Sequence, residues 1–465
     1  MIAAAAIIFI ERENRHEFQS QSADAIVGIS IPLPFKKIGK TMTWIQQYRI
    51  RRYLASCLWV MPLVAAVAGV CFNRLVWMFD LRTQWRWLDF SPDGARAVVG
   101  AIVSSGLTFI VFLLSMLFIA VQIAASQMTP RITARVVEGR ASRLSLAFFV
   151  FTYVFSTAVG GRLVEPIPQL AVLLTSVFSL VSIGLFLFLV GYVARAVRPI
   201  SVYANIADET IQVIKALYPV LLAESEGGAD AENPIHGIQP VASFRHRGNS
   251  GVFTAFNAGG LTEIARKNGC VIQLVPQVGD LVAEGDPLFN VYLGGETIPE
   301  EELQQHVAFA SSHTLEQNPA FGFRIIVDIA IRALSPAVND PTTAVRGLDQ
   351  IHVLLSKLGA RDLGDGRIRD SEGRPRLIFP APKWEDFLWL GLSEIRTYGA
   401  GSLQVMRRLR GMLENLIETL PSQRIPPLLE HLKQLERLAV RNFPDPEDLD
   451  RAGIGDYQGL GGARL

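Results

Sequence analysis

From Ala97 to Pro130 the chain reads AVVGAIVSSGLTFIVFLLSMLFIAVQIAASQMTP, thirty-four residues without a charged side chain. A helix of about 20 such residues covers the roughly 30 Å hydrocarbon core of a bilayer. Three further uncharged runs accompany it, between Arg52 and Arg74, from Leu144 to Gly161 and from Pro166 to Ala194. Four such runs in succession do not suit the buried helices of a soluble protein. The expected fold class is therefore a membrane α-helical unit of four transmembrane helices, at about 54–73, 97–124, 144–161 and 168–194, followed by a C-terminal α+β soluble domain containing a small β module and helical hairpins.

Basic residues near the span ends set the orientation. The approach to the first span holds Lys36, Lys37, Lys40, Arg49, Arg51 and Arg52 without an acid. The loop after span two holds Arg131, Arg135, Arg140 and Arg143 against Glu138, and span four exits at Arg195 and Arg198. The other side holds Arg74, Arg82, Arg86, Arg96 and Arg162, diluted by Asp80, Asp89 and Asp93. Both termini are expected inside, with Trp77, Trp85 and Trp87 at the outer interface. Residues 1–42 read as an N-terminal extension. Their apolar start, Met1 to Ile10, is too short to span, and translation beginning near Met42 would account for it.

On this reading no Asp, Glu, Lys, Arg or His lies inside a span, which removes the usual mark of a proton relay or ion-coupled pump. Span two carries an ordered polar set instead: Ser104, Thr108, Ser115, Gln122 and Ser126 fall within an arc of about 40° at 100° per residue. Such a stripe suits a hydrated path in a homo-oligomer. Close packing and hydrogen bonding between helices is the commoner role of small polar residues. Thr175, Ser179 and Ser182 form a shorter face on span four.

The second half, of mixed charge, is divided as follows. Residues 201–226 continue as a helix from span four, and a Gly- and acid-rich linker precedes a β module over 241–295. A helical domain covers 300–442, with Trp384 to Leu420 read as one helix, and a flexible tail occupies 443–465. In the module, Gly279 and Gly285 frame a short strand, similar to the hairpin of biotinyl and lipoyl carriers. No lysine lies between Lys267 and Lys357, so a carrier role does not follow.

Helix Phe321–Leu334 stops at Ser335-Pro336, and Asp340 with Pro341 starts another as N-cap and first-turn proline. Arg324, Asp328 and Arg332, at i, i+4 and i+8, share a face. With Asn339 and Asp340 they form a candidate anion or ligand site; surface ion pairs and ordinary capping are the plainer alternative. The run Ala333 to Ala344, ALSPAVNDPTTA, resembles the signature of the bacterial membrane proteins grouped as domain of unknown function 2254. Ala125 to Arg131 and Glu394 to Gly399 extend that resemblance over roughly 44–440. It implies an inner-membrane protein with paired spans and a soluble C-terminal domain, and it brings no activity and no catalytic residues.

Other chemistry is not indicated. A net charge of +1 without a basic stripe argues against nucleic acid as a partner. Cys57, Cys71 and Cys270 show neither disulfide nor zinc spacing, and His306 and His313 lack a third ligand. There is no Walker loop, dinucleotide fingerprint or nucleophile elbow, so no cofactor, metal or catalytic residue is assigned. The reading that follows is a homo-oligomeric channel or passive transport protein gated by its soluble domain. The alternative is a membrane-anchored sensor or scaffold whose soluble domain binds a ligand or partner.

Overall fold

The computed structural model describes residues 44–48, 59–83, 90–127, 139–163, 167–196, 198–224, 235 and 237–461. The expected extension 1–42, Trp85 and Trp87, the loop 128–138 and most of the linker at 225–234 lie outside the described residues, as does the side chain of Ser126. The chain divides into two units, one holding residues 50–201 and the other residues 202–465.

The first unit contains four long helices: α1 (Val60–Thr83), α2 (Pro92–Gln127), α3 (Arg140–Gly160) and α4 (Gln169–Ala196). Each is long and apolar enough to cross a bilayer. The third packs against all the others. Its Phe151 and Phe155 meet Phe178 of α4 edge-on at 5.4 Å, and Phe72 of α1 closes the aromatic cluster. Gly69 permits this approach, because a Cβ there would stand 3.1 Å from the Phe151 carbonyl oxygen. Two apolar clusters fill the interior, one around Leu113, Phe149 and Leu189, the other around Val99, Phe155 and Val172.

The first helix corrects the expected span of 54–73, for it continues through Asn73 to Thr83. The candidate span Val60–Asp80 thus contains Arg74 and Asp80, so the spans are not free of ionisable groups. The reason is local. Asp80 is 8% exposed and accepts hydrogen bonds from the first-turn amides of Leu170 and Ala171, capping α4 from another helix. Nearby, Gln169 donates to and accepts from the backbone of Phe90, fixing the entry to α2.

Span four does not continue unbroken. A separate helix, α5 (Pro199–Leu217), follows it. Pro199 has no N–H to extend the preceding helix and suits a first turn, while Pro219 bounds the other end.

In the second unit, β1 (Ala242–Arg245), β2 (Gly251–Phe256), α6 (Ala258–Lys267), β3 (Val271–Leu274), β4 (Leu281–Val282) and β5 (Pro287–Tyr292) form most of the module. It is larger than the expected 241–295. After α7 (Glu300–Gln304) and β6 (Val307–Ala310), α8 (Pro319–Ala333) and α9 (Pro341–Gly359) intervene before β7 (Arg367–Arg369) and β8 (Pro375–Ile378) complete it. The sheets have orders β1-β5-β3-β8-β7 and β4-β2-β6. Ile272 of β3 lies opposite Leu377 of β8 in a parallel pair, for which the α8–α9 stretch is the crossover. Gly279 and Gly285, at φ 107° and 89°, make the turns around β4.

The helical part ends with α10 (Trp384–Tyr398), α11 (Leu403–Thr419), α12 (Ile425–Asn442) and α13 (Pro446–Ala452). The single helix expected over 384–420 is broken at Gly399-Ala400-Gly401, and Ser402 is extended before α11 begins. The described part of the expected flexible tail, 443–461, is instead packed. Asp456, 1% exposed, accepts from the amides of Gln458, Gly459 and Gly461. Arg407 donates to the carbonyls of Ile454 and Gly461. Glycine in this tail supplies the positive φ that the loop needs, at Gly459 and Gly461.

Candidate functional site

The signature hairpin is built by α8 and α9. Arg324 of α8 donates to Asp328 one turn on and, with both terminal nitrogens, to the carboxylate of Glu394 on α10; its Nη2 lies 2.9 Å from Glu394 Oε2. This fork is partly buried, and the guanidinium holds the Glu394 carboxyl below its usual range. Arg324 is therefore a tie between two helices, its charge already matched by two carboxylates. Arg332 sits in the last turn of α8, where a cation suits the helix dipole.

Asp340 is occupied in another way. Its carboxylate accepts from the amide and hydroxyl of Thr343, the N-cap the sequence reading expected, while its own amide donates to Ala333 at 2.8 Å. Asn339 before it has φ 47°, a left-handed conformation that Asn tolerates better than most residues. Pro336 to Asn339 are exposed. Arg324 and Asp328 are brought together, but Asn339 and Asp340 lie beyond the end of α8, roughly 14 Å of helix from Arg324.

The helix behind this hairpin was not singled out by sequence reasoning. On α5, Tyr203 is 1% exposed and faces Gly347 of α9, where a Cβ would stand 3.0 Å from the phenol oxygen. Thr210 meets Gly322 of α8 still more closely: a Cβ there would stand 2.0 Å from the threonine hydroxyl oxygen. Burial pushes the Tyr203 phenol far up, and the Asp340 carboxylate adds to that shift. Among the described residues the phenol oxygen has no hydrogen-bond partner. The two glycines thus seat α5 against both arms of the hairpin. The i, i+4 polar pattern of α8 could be read locally; its partners on α5 and α10 are distant in sequence and carry no periodic signal.

In the membrane unit Ser104, Thr108, Ser115 and Gln122 are all exposed on the outer face of α2. Three hydroxyls bond back to carbonyls four residues earlier: Ser104 to Gly100 at 3.0 Å, Thr108 to Ser104 at 3.1 Å and Ser115 to Val111 at 2.9 Å. A second polar set lies inside. Ser105, Thr152, Ser179 and Ser182 border a cavity between α2, α3 and α4 with room for about one water. Ser182 is 3.4 Å from Thr152. Of this inner set the sequence pattern singled out the α4 residues alone.

Four apolar helices followed by a soluble region of small sheets and helices define an integral membrane protein. The chain belongs to the family described as Predicted membrane protein (DUF2254), whose model matches residues 55–415. Among similar proteins, an uncharacterized protein of Mycobacterium bovis is 26% identical over 418 residues, covering 85% of this chain and 78% of its own. An uncharacterized protein of Mycobacterium tuberculosis gives the same identity and coverage. No solved structure matches.

Proposed function

We propose that the protein is a homo-oligomeric channel or passive transport protein of the bacterial inner membrane, with both termini cytoplasmic and conduction gated by the soluble domain. The observation that carries this reading is the outward polar face of α2. Ser104, Thr108, Ser115 and Gln122 turn away from the interior of their own helical unit. Two apolar clusters occupy that interior. A path lined by this face would form between copies, each presenting hydroxyls whose protons are satisfied by their own helix and whose lone pairs remain open to solute or water. Gly100, four residues before Ser104, leaves its side of the helix open for close approach of a neighbour.

Flux through liposomes tests the proposal. Purified protein should pass small ions or solutes, and replacing Thr108 and Ser115 with Leu should abolish that flux without loss of folded protein. A strictly monomeric species in native mass spectrometry, or flux unchanged in the double variant, refutes the assignment of the stripe. Accessibility of cysteines placed beside Arg162 and near the C-terminus, from either side of inverted vesicles, tests the orientation.

The sensor reading rests on α5. The chain leaves span four directly into a helix held by both arms of the signature hairpin. A ligand that changes the hairpin would act on that helix. Thermal-shift screening of the whole chain for stabilising ligands tests this reading, and a shift that persists when Arg324 is replaced by Ala places the ligand away from the Arg324 fork.

A further inference from the structure

Four polar side chains close a square between α9 and α11. Arg408, 5% exposed, donates through Nε to Asp349 Oδ1 at 2.7 Å, and its Nη2 lies 3.1 Å from Nδ1 of His352, one turn further along α9. The other ring nitrogen, Nε2, is 2.8 Å from Asn415 Oδ1. Chemistry fixes the protons of this square. A guanidinium can only donate, so Nδ1 of His352 is bare, and the ring proton sits on Nε2 and is donated to Asn415. His352 is thereby held neutral. A second proton would turn Nδ1 from acceptor to donor against a guanidinium, with both groups cationic.

The charges facing the ring are Arg408 and Asp349. Burial and then Arg408 hold the imidazole below its ordinary value, while the bond to Asn415 and the charge of Asp349 act the other way. Arg346 of α9 also pairs with Asp349, at 3.3 Å. The carboxylate of the C-terminal loop, Asp456, is engaged by the amides of Gln458, Gly459 and Gly461.

That loop, 453–461, rests on the square. Gly459 is buried, and a Cβ there would stand 3.7 Å from both Arg408 Cδ and Asp349 Oδ1. The rest of its seat is on α11. Arg407 donates to the carbonyls of Ile454 and Gly461, the Asp456 amide donates to the Arg407 carbonyl, and Gln404 donates to the Gly459 carbonyl.

We propose that His352 is a proton switch for the C-terminal loop, and that its protonation breaks the contact with Arg408 and releases residues 453–461 from α11. The cationic ring takes Asp349 as its counter-ion. Arg408, deprived of both acceptors, turns towards water and withdraws the chain on which Gly459 lies. Because the folded ring titrates below 6.5, its contribution to stability is complete above that value and is lost as pH falls through the folded one. The switch is independent of the α2 face and of conduction.

Limited proteolysis of the full chain in detergent tests this, with a protease active from about pH 8 to about pH 4.5 and mass spectrometry of the C-terminal fragments. Cleavage within 453–461 should be slow at the alkaline end and about tenfold faster in acid, with a midpoint below 6.5. Glutamine reproduces the neutral ring, its oxygen accepting from Arg408 and its amide donating to Asn415, and it does not titrate. His352→Gln should therefore stay resistant throughout. His431→Gln, which alters the histidine facing Arg396, should still release. Asn415→Asp sets a carboxylate against the Nε2 proton and should raise the midpoint by about one pH unit. Should His352→Gln fail to fold, that shift decides. Cleavage independent of pH in the wild type overturns the proposal. So does acid release that survives in His352→Gln or is lost in His431→Gln, and so does an unmoved midpoint in Asn415→Asp.

Discussion

Replacing Tyr203 with Phe removes one oxygen from the interior of the soluble unit. The side chain is 1% exposed and its hydroxyl has no partner among the described residues, so the wild type bears the desolvation penalty of a buried polar group with no hydrogen bond in return. That penalty is about 1–3 kcal/mol, and the void left by one oxygen offsets a fraction of it. Tyr203→Phe should therefore stabilise by about 1 kcal/mol, a rise of roughly 2–4 °C in the unfolding midpoint for a region of this size. Gly347→Ala, which would place a Cβ 3.0 Å from the phenol oxygen and 3.2 Å from Ala330 Cβ, should destabilise. The double variant should lose less than the two separate changes imply, because part of the clash has gone. Differential scanning fluorimetry of the full chain in detergent measures all four proteins. A fall of more than about 1 kcal/mol in Tyr203→Phe would mean that the hydroxyl is hydrogen-bonded, and would refute this reasoning.

Leu293 has φ 64° and is 54% exposed, so it carries backbone strain with little packing in exchange; Leu293→Gly should raise stability by about 1 kcal/mol in chemical denaturation. Arg324→Met leaves Asp328 and Glu394 without their shared cation and should cost about 1–3 kcal/mol by the same measurement, restored in part by adding Glu394→Gln. Because Arg324 lowers the Glu394 pKa, the stability from that carboxylate is present above its ordinary value and is lost as pH falls through the lowered one; a melting-point profile in which Glu394→Gln flattens the acid limb checks it. His431, ordinarily near 6.5 and about 4 when folded, contributes stability that is complete above 6.5 and lost as pH falls towards 4, so His431→Leu should remove acid sensitivity in that window.

The four membrane helices were legible because apolar length is a local property of the chain. Their ends were less so. Arg74 and Asp80 read as a boundary, whereas Asp80 lies inside a helix because Leu170 and Ala171 offer it amides from another part of the chain. The same limit applies to the soluble region. The β module was readable over 241–295, but β8, the partner of β3, lies about a hundred residues on from it, and a parallel pairing leaves no turn between the strands to mark it. At the candidate site, the i, i+4 spacing of Arg324 and Asp328 announced their pairing; Glu394 belongs to a distant helix. Gly399 and Gly401 were visible, yet the apolar pattern on both sides outweighed them in reading one helix where there are two.

The two glycine contacts of α5 also bear on synthesis. Thr210 is made before Gly322 and Gly347, the residues that receive this helix. At ordinary elongation rates the delay is roughly six to thirty seconds. During it, an amphipathic segment with Tyr203, Ile206 and Ile214 on its apolar side is tethered to a freshly inserted span. The bilayer surface is the nearest apolar refuge for such a face. Completion of the soluble region gives that face its seat against Gly322 and Gly347, so a variant in which the hairpin folds slowly should prolong the exposure of the helix.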